Sequence, residues 1–161
     1  MSVDRPTQRP RAFETIVGGG AAVAVLDIAN AMTFWGLYRG TRPHVILQSI
    51  AAGVLGQDAF TGGAPTALLG AFLHVFIATS VATVYYLACL AGPALIDRPA
   101  VAGGAYGVGV YLVMNFIVLP LSNARQVPFR WGWFLANFIG HIVLIGMPVA
   151  FIARWSAARR P

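Results

Sequence analysis

Charge is scarce in this sequence, and lysine is missing altogether. Charged residues make up 10% of the 161 positions, against roughly 25% in ordinary soluble domains. A chain this short has much surface for its volume and too few charges to cover it. Disorder, a fibrous repeat and a soluble globular domain are excluded, which leaves an integral membrane protein. Cysteine occurs once, as Cys89, so no intrachain disulfide can form. It lies in an apolar run with no charge to activate it, which suits a packed or lipid-facing thiol. Enzyme signatures are also lacking: there is no GxSxG elbow, no phosphate loop and no pair of carboxylates. Gly107-Val108-Gly109 lies inside an apolar run, where a phosphate cradle has no place. A non-enzymatic protein is expected.

What is present is apolar. Hydrophobic residues account for 58% of the chain, and mean hydropathy is +0.72. The eleven basic residues are all arginine and outnumber the acids by six. In a soluble protein that balance would suggest nucleic acid. Here the arginines sit at the ends of apolar runs and read as membrane topology signals, so the lipid bilayer is the expected partner and nucleic acid is not.

A spanning helix needs about 20 mostly apolar residues. Four runs qualify, at about 13–38, 65–90, 100–119 and 131–153. They make a single four-helix transmembrane domain over 13–155, flanked by a polar tail (1–12) and a basic tail (156–161). Pro6 and Pro10 oppose a long helix in the first tail. The run after it is too long for a signal core and reads as a retained span. The expected fold is an all-α integral membrane bundle of four transmembrane helices, with a short interfacial or re-entrant helix between the first two. That short segment runs from Pro43 to Gln57. Ile46, Ile50 and Val54 recur on one face and His44 and Gln48 on another, as in a helix packed over the bundle or dipping part-way in. His44, Gln48 and Asp58 are expected to meet solvent or headgroups.

Arginine counts set the orientation. Arg5, Arg9, Arg11, Arg98, Arg154, Arg159 and Arg160 fall on one side, and Arg39, Arg42, Arg125 and Arg130 on the other. The richer side is expected to be cytoplasmic, with both termini there, in a bacterial inner membrane. Trp35, Tyr38, Trp131 and Trp133 would then line the outer interface and Trp155 the inner one.

Small residues mark where helices approach closely. Gly18, Gly19 and Gly20 crowd the first span, and Gly103, Gly104, Gly107 and Gly109 the third. Packing of the first span on the third is one expectation. Homo-oligomerisation through Gly103 and Gly107, or Gly36 and Gly40, is the rival. Glycine-rich starts of spans one and three, with a mid-span histidine in spans two and four, also suggest a two-plus-two repeat.

Polar residues inside spans are costly and face the bundle interior. At about 1.5 Å per residue, Asp27, His74 and His141 all lie roughly 13–15 Å from the outer end. Asn137 shares a face with His141, Asn30 follows Asp27 by three residues, and Asn115 lies nearer the outer end. Four readings of this layer stand open. It is a hydrogen-bonded packing layer; a proton or ion pathway; a site for a small ligand or lipid-soluble substrate; or a centre in which His74 and His141 bind haem, or join Asp27 around a metal. No HxxxH or HExxH spacing supports a metal, and no cofactor is required.

The order of several motifs resembles a family of small four-span bacterial inner-membrane proteins of unknown role, the YagU-like group. The carrying residues are Asp27, VILQSIAAGVLGQDAFTGG (45–63), LGAFLH (69–74), GGAYG (103–107), VMNFIVLPLS (113–122) and Gly140-His141. The resemblance implies an inner-membrane protein of unknown role. The buried polar layer itself points to a small transporter or channel-like unit, or to a partner in a membrane complex. It supplies no catalytic residue.

Overall fold

A computed structural model describes residues 9–125 and 128–159. The expectations placed on Arg5 and Arg160 lie outside them. Six helices form among the described residues, and no strand. They are α1 (Glu14–Arg39), α2 (Pro43–Leu55), α3 (Gly63–Ala91), the single turn α4 (Ala94–Asp97), α5 (Pro99–Leu121) and α6 (Trp131–Ala158). Helices α1, α3, α5 and α6 are long and apolar enough to cross a membrane. An even number of crossings returns α6 to the side where α1 begins. That side is called the terminal end, and the opposite side the α2 end.

Local chemistry explains the boundaries. Gly40 closes α1 in the left-handed conformation (φ 64°), which favours glycine, and its N–H bonds the Gly36 carbonyl at 2.9 Å. Pro43 and Pro99 open α2 and α5, where a missing N–H costs nothing. Pro120 and Pro148 act differently. Each lies in the body of a membrane-length helix and leaves the carbonyl four residues earlier without its usual donor. The preceding turns widen to an i→i+5 pattern, over Met114–Val118 in α5 and His141–Gly146 in α6. The third span ends at Leu121, one residue past Pro120, with Ser122 extended. Helix α6 continues past 153 to Ala158, where Ser156 is buried.

The bundle is tight at the terminal end. Helix α1 lies between α3 and α6, α5 packs on α6, and α2 packs on α3. Val23, Ala24, Ala78, Ala82, Val149 and Ala153 form much of one small-residue core. Thr15 and Ser156 are both buried and bond each other at 3.0 Å, tying the start of α1 to the end of α6. Cys89 is buried in the same core. Tyr106 of α5 donates its hydroxyl hydrogen to the Val81 carbonyl of α3 at 2.6 Å, and its ring meets Tyr85 edge-on at 4.9 Å.

Glycine placement corrects one expectation. Gly103 and Gly107 face α6, and the main partner of α5 is α6 rather than α1. A Cβ at Gly103 would stand 2.7 Å from the Gly146 carbonyl oxygen, and one at Gly107 would stand 2.7 Å from the Ile142 Cα. Gly146 has the same relation to Gly107, at 2.6 Å from its nitrogen. Backbone lies on backbone here, which needs glycine on both sides. The glycines of α1 serve other partners: Gly19 faces Val149 of α6, and Gly20 faces Thr79 of α3. The sequence matched the two richest glycine runs, but the complementary hollow comes from the single Gly146.

The α5–α6 contact makes a prediction. Gly107→Val should lower stability by about 1–3 kcal/mol, the usual cost of overpacking. Gly104→Val, at a position with nothing within 4 Å, should stay within about 0.5 kcal/mol of the parent. Thermal unfolding in detergent followed by circular dichroism checks both.

Candidate functional site

Toward the α2 end the spans part and enclose a cavity of about 250 Å³. Its walls come from all four spans and α2. Asp27, His74, Asn115, Asn137 and His141 all line it. Asn30 does not: its side-chain amide nitrogen lies 3.0 Å from where a Cβ of Gly140 would stand, in the α1–α6 contact. The reason is helical phase. On α1 the lining runs along Val23, Asp27, Ala31 and Trp35, with Ile28 beside Asp27, and on α6 along Trp133, Asn137, His141 and Ile145. Both are four-residue ladders, so the residue three after Asp27 falls off the face.

Each polar group has a definite state of satisfaction. The Nε2 of His74 lies 2.9 Å from the Ala24 carbonyl of α1. A carbonyl only accepts, so this nitrogen donates, and the ring ties α3 to α1 one turn from Asp27. The Nδ1 of His141 donates in the same way to the Asn137 carbonyl at 2.8 Å, a bond inside its own helix where the wide turn begins. His141 is buried, with Tyr111 edge-on at 5.5 Å. Asn115 donates to the Tyr111 carbonyl at 2.9 Å and keeps its amide oxygen free. Two ring nitrogens, Nδ1 of His74 and Nε2 of His141, are left as acceptors. Asp27 differs from all of these. Among the described residues the ion pair found is Arg11 with Glu14 at 3.1 Å. The Asp27 carboxylate has, among the described residues, neither an ion pair nor a hydrogen bond, and it is half-buried against the cavity.

The haem and metal alternative does not fit this geometry. Among the described residues no three His, Cys, Asp or Glu side chains gather as a metal-ligand set, so Asp27, His74 and His141 do not form one. His74 spends Nε2 on Ala24 and retains only the nitrogen nearer its backbone. The chamber itself, at about 250 Å³, is smaller than the roughly 300–1,000 Å³ of typical small-molecule sites.

Helix α2 closes the cavity over α3. A Cβ at Gly70 would run into the Leu47 carbonyl, so the two backbones touch about 10 Å along α3. Gln48, expected at the surface, is buried. Its amide donates to the Gly63 carbonyl at 3.1 Å and to Thr66 Oγ1 at 3.2 Å, bracing the α2–α3 corner. Only the neighbouring His44 and Asp58 are exposed. At its far end α2 is held by Asn123, whose N–H bonds the Gly53 carbonyl at 2.9 Å and whose side chain bonds the Val54 carbonyl at 2.8 Å.

Beside this chamber lies a second hollow of about 410 Å³, between α5, α6 and the segment before α6. It shares Asn115, Leu119, Trp133 and Asn137 with the first and includes the exposed Arg125 and Arg130. The two hollows adjoin at these four side chains, on the side of the chamber toward the α2 end. Trp35 and Trp133 pack 4.9 Å apart at that end, with Arg39 5.6 Å over Trp35. Sequence reasoning assigned these tryptophans to the interface alone and passed over Ser49, which also lines the chamber. Trp133 stands four residues before Asn137 and Trp35 eight after Asp27, and that helical spacing was the available signal.

Comparison with protein-family models, with curated proteins and with solved structures finds no match for this chain.

The adjoining hollow predicts thiol accessibility. In a Cys89→Ala background, Asn137→Cys should react with a small water-soluble methanethiosulfonate at least tenfold faster than Ala150→Cys, which replaces a fully buried core residue. Mass-spectrometric labelling rates measure this, and Cys89 in the unmodified chain should react only after unfolding.

Proposed function

We propose that the chain is a small, non-enzymatic transporter-like unit of a bacterial inner membrane, in which Asp27 binds and releases a proton or small cation. One observation carries the reading: a carboxylate near the middle of a membrane-length helix faces a cavity and has no partner among the described residues. An acidic side chain at mid-membrane costs about 2.5–3.5 kcal/mol on insertion scales. A packing role would offset that cost with a donor held against the carboxylate. Both histidines instead donate to backbone carbonyls and leave Asp27 to the cavity. A cation or proton taken from water supplies the missing charge.

The hollow toward the α2 end and the dense core at the terminal end support entry from one side only. The arginine distribution supports placing the α2 end outside and both termini in the cytoplasm. The resemblance to the YagU-like group supports inner-membrane residence and adds no chemistry. The walls of the chamber all come from one chain, so the reading does not require a homo-oligomer. Gly103 and Gly107 are covered by α6 within the protomer, and Gly36 and Gly40 serve the end of α1.

The test is flux in proteoliposomes carrying a pH-sensitive dye. Pulsed acidification should produce proton or cation exchange at least tenfold above protein-free vesicles, and Asp27→Asn should abolish it while Asp27→Glu keeps part. Equal flux in the parent and Asp27→Asn would refute the reading. An alkaline phosphatase fused after Pro161 should be inactive in cells, and an active fusion would reverse the orientation.

A further inference from the structure

A third hollow flanks the chamber, and it faces sideways. Helices α3 and α5 are pinned together by Tyr106 on Val81 and separate above that bond. The gap forms a cleft of about 480 Å³ lined almost wholly by apolar side chains. Phe76 and Val84 on one wall and Val113 and Val118 on the other are exposed. Gly109 stands in the cleft with nothing within 4 Å of where its Cβ would lie. Ile77, Val81, Val110 and Met114 line both the cleft and the chamber. These four side chains form the wall shared by the lipid-facing cleft and the chamber that holds Asp27. The cleft wall from Tyr106 to Val118 is about 18 Å of helix.

We infer that the chamber takes a cationic amphiphile, an organic ammonium ion with an apolar tail, which enters from the bilayer between α3 and α5. The inference rests on the cation-binding reading of Asp27 and names the class of cation. Three features specify that class. The carboxylate lacks a counter-charge, so the head group must be cationic. The cavity around it is too small for a whole drug-sized molecule but large enough for a head group. Finally, the adjoining cleft offers apolar walls and almost no polar surface, which an alkyl or aryl tail satisfies and a hydrated ion does not. The indole rings of Trp35 and Trp133 give the chamber aromatic faces that attract quaternary ammonium groups.

The experiment uses the full chain in nanodiscs of zwitterionic lipid, with protein-free discs as the blank. The probes are dodecyltrimethylammonium, which has head and tail, and tetramethylammonium, which has only the head. Binding is followed by tryptophan fluorescence and calorimetry. Dodecyltrimethylammonium should bind at least tenfold more tightly than tetramethylammonium, and Asp27→Asn should remove that binding. Gly109→Phe puts a ring into the cleft from a position whose Cβ has nothing within 4 Å. It should weaken the tailed probe at least tenfold and leave tetramethylammonium binding and small-cation flux unchanged. Gly104→Phe, at an open position outside the cleft, should change neither. Equal affinity for the two probes, or a Gly109→Phe variant that binds the tailed probe as the parent does, would overturn the inference and leave the cation reading standing. Flux that survives Asp27→Asn would remove the cation reading itself.

Discussion

The contact of α5 with α6 at Gly103, Gly107 and Gly146 sets the shape of the bundle. Lipid offers no hydrophobic drive between helices, so packing must come from close van der Waals approach. These three glycines let two backbones touch. Gly19, Gly20, Ala78, Ala82, Ala150 and Ala153 extend the narrow zone across α1, α3 and α6. Bulkier residues take over toward the α2 end, where Trp35, Trp133, Phe134 and Tyr111 stand off the backbones. Helices drawn together at one end and held apart at the other must enclose a space. The chamber is a consequence of that taper.

The taper explains why polar groups can sit at mid-span. Proline widens the turns that carry Asn115 and His141, and backbone irregularity is tolerated at depth where it borders a cavity. The histidines and Asn115 use carbonyls within the bundle to settle their donors. Asp27, which can only accept while ionised, has no such resource. The chamber therefore holds a carboxyl group with no partner among the described residues, and it adjoins a hollow toward the α2 end and a lateral apolar cleft.

Much of the architecture was legible in the sequence because a membrane leaves few options. Apolar length and arginine placement locate four spans, and glycine or proline closes their ends. The depth of Asp27, His74 and His141 was legible from residue counting, since helical rise is fixed. Helix pairing was not. It depends on which hollow fits which ridge, and one residue such as Gly146 outweighs a longer glycine run. Asn30 was misplaced for a related reason: the cavity face advances by four residues along α1, which selects Ala31 and turns Asn30 toward Gly140. Gln48 looked like a surface residue from its polarity, yet its amide is spent inside the α2–α3 corner. Proline at 120 marked the end of the third span to within two residues, but the widened turn before it was not legible.

The central claim is that Asp27 lies unpartnered in an accessible chamber and receives a cation there. Dicyclohexylcarbodiimide, a lipid-soluble reagent for protonated carboxyl groups, tests it directly, with the adduct located by peptide mass spectrometry. The account predicts that Asp27 is modified in the folded protein and that dodecyltrimethylammonium slows the reaction at least several-fold. Modification of Glu14 with none at Asp27, or an Asp27 rate indifferent to the cation, would contradict it.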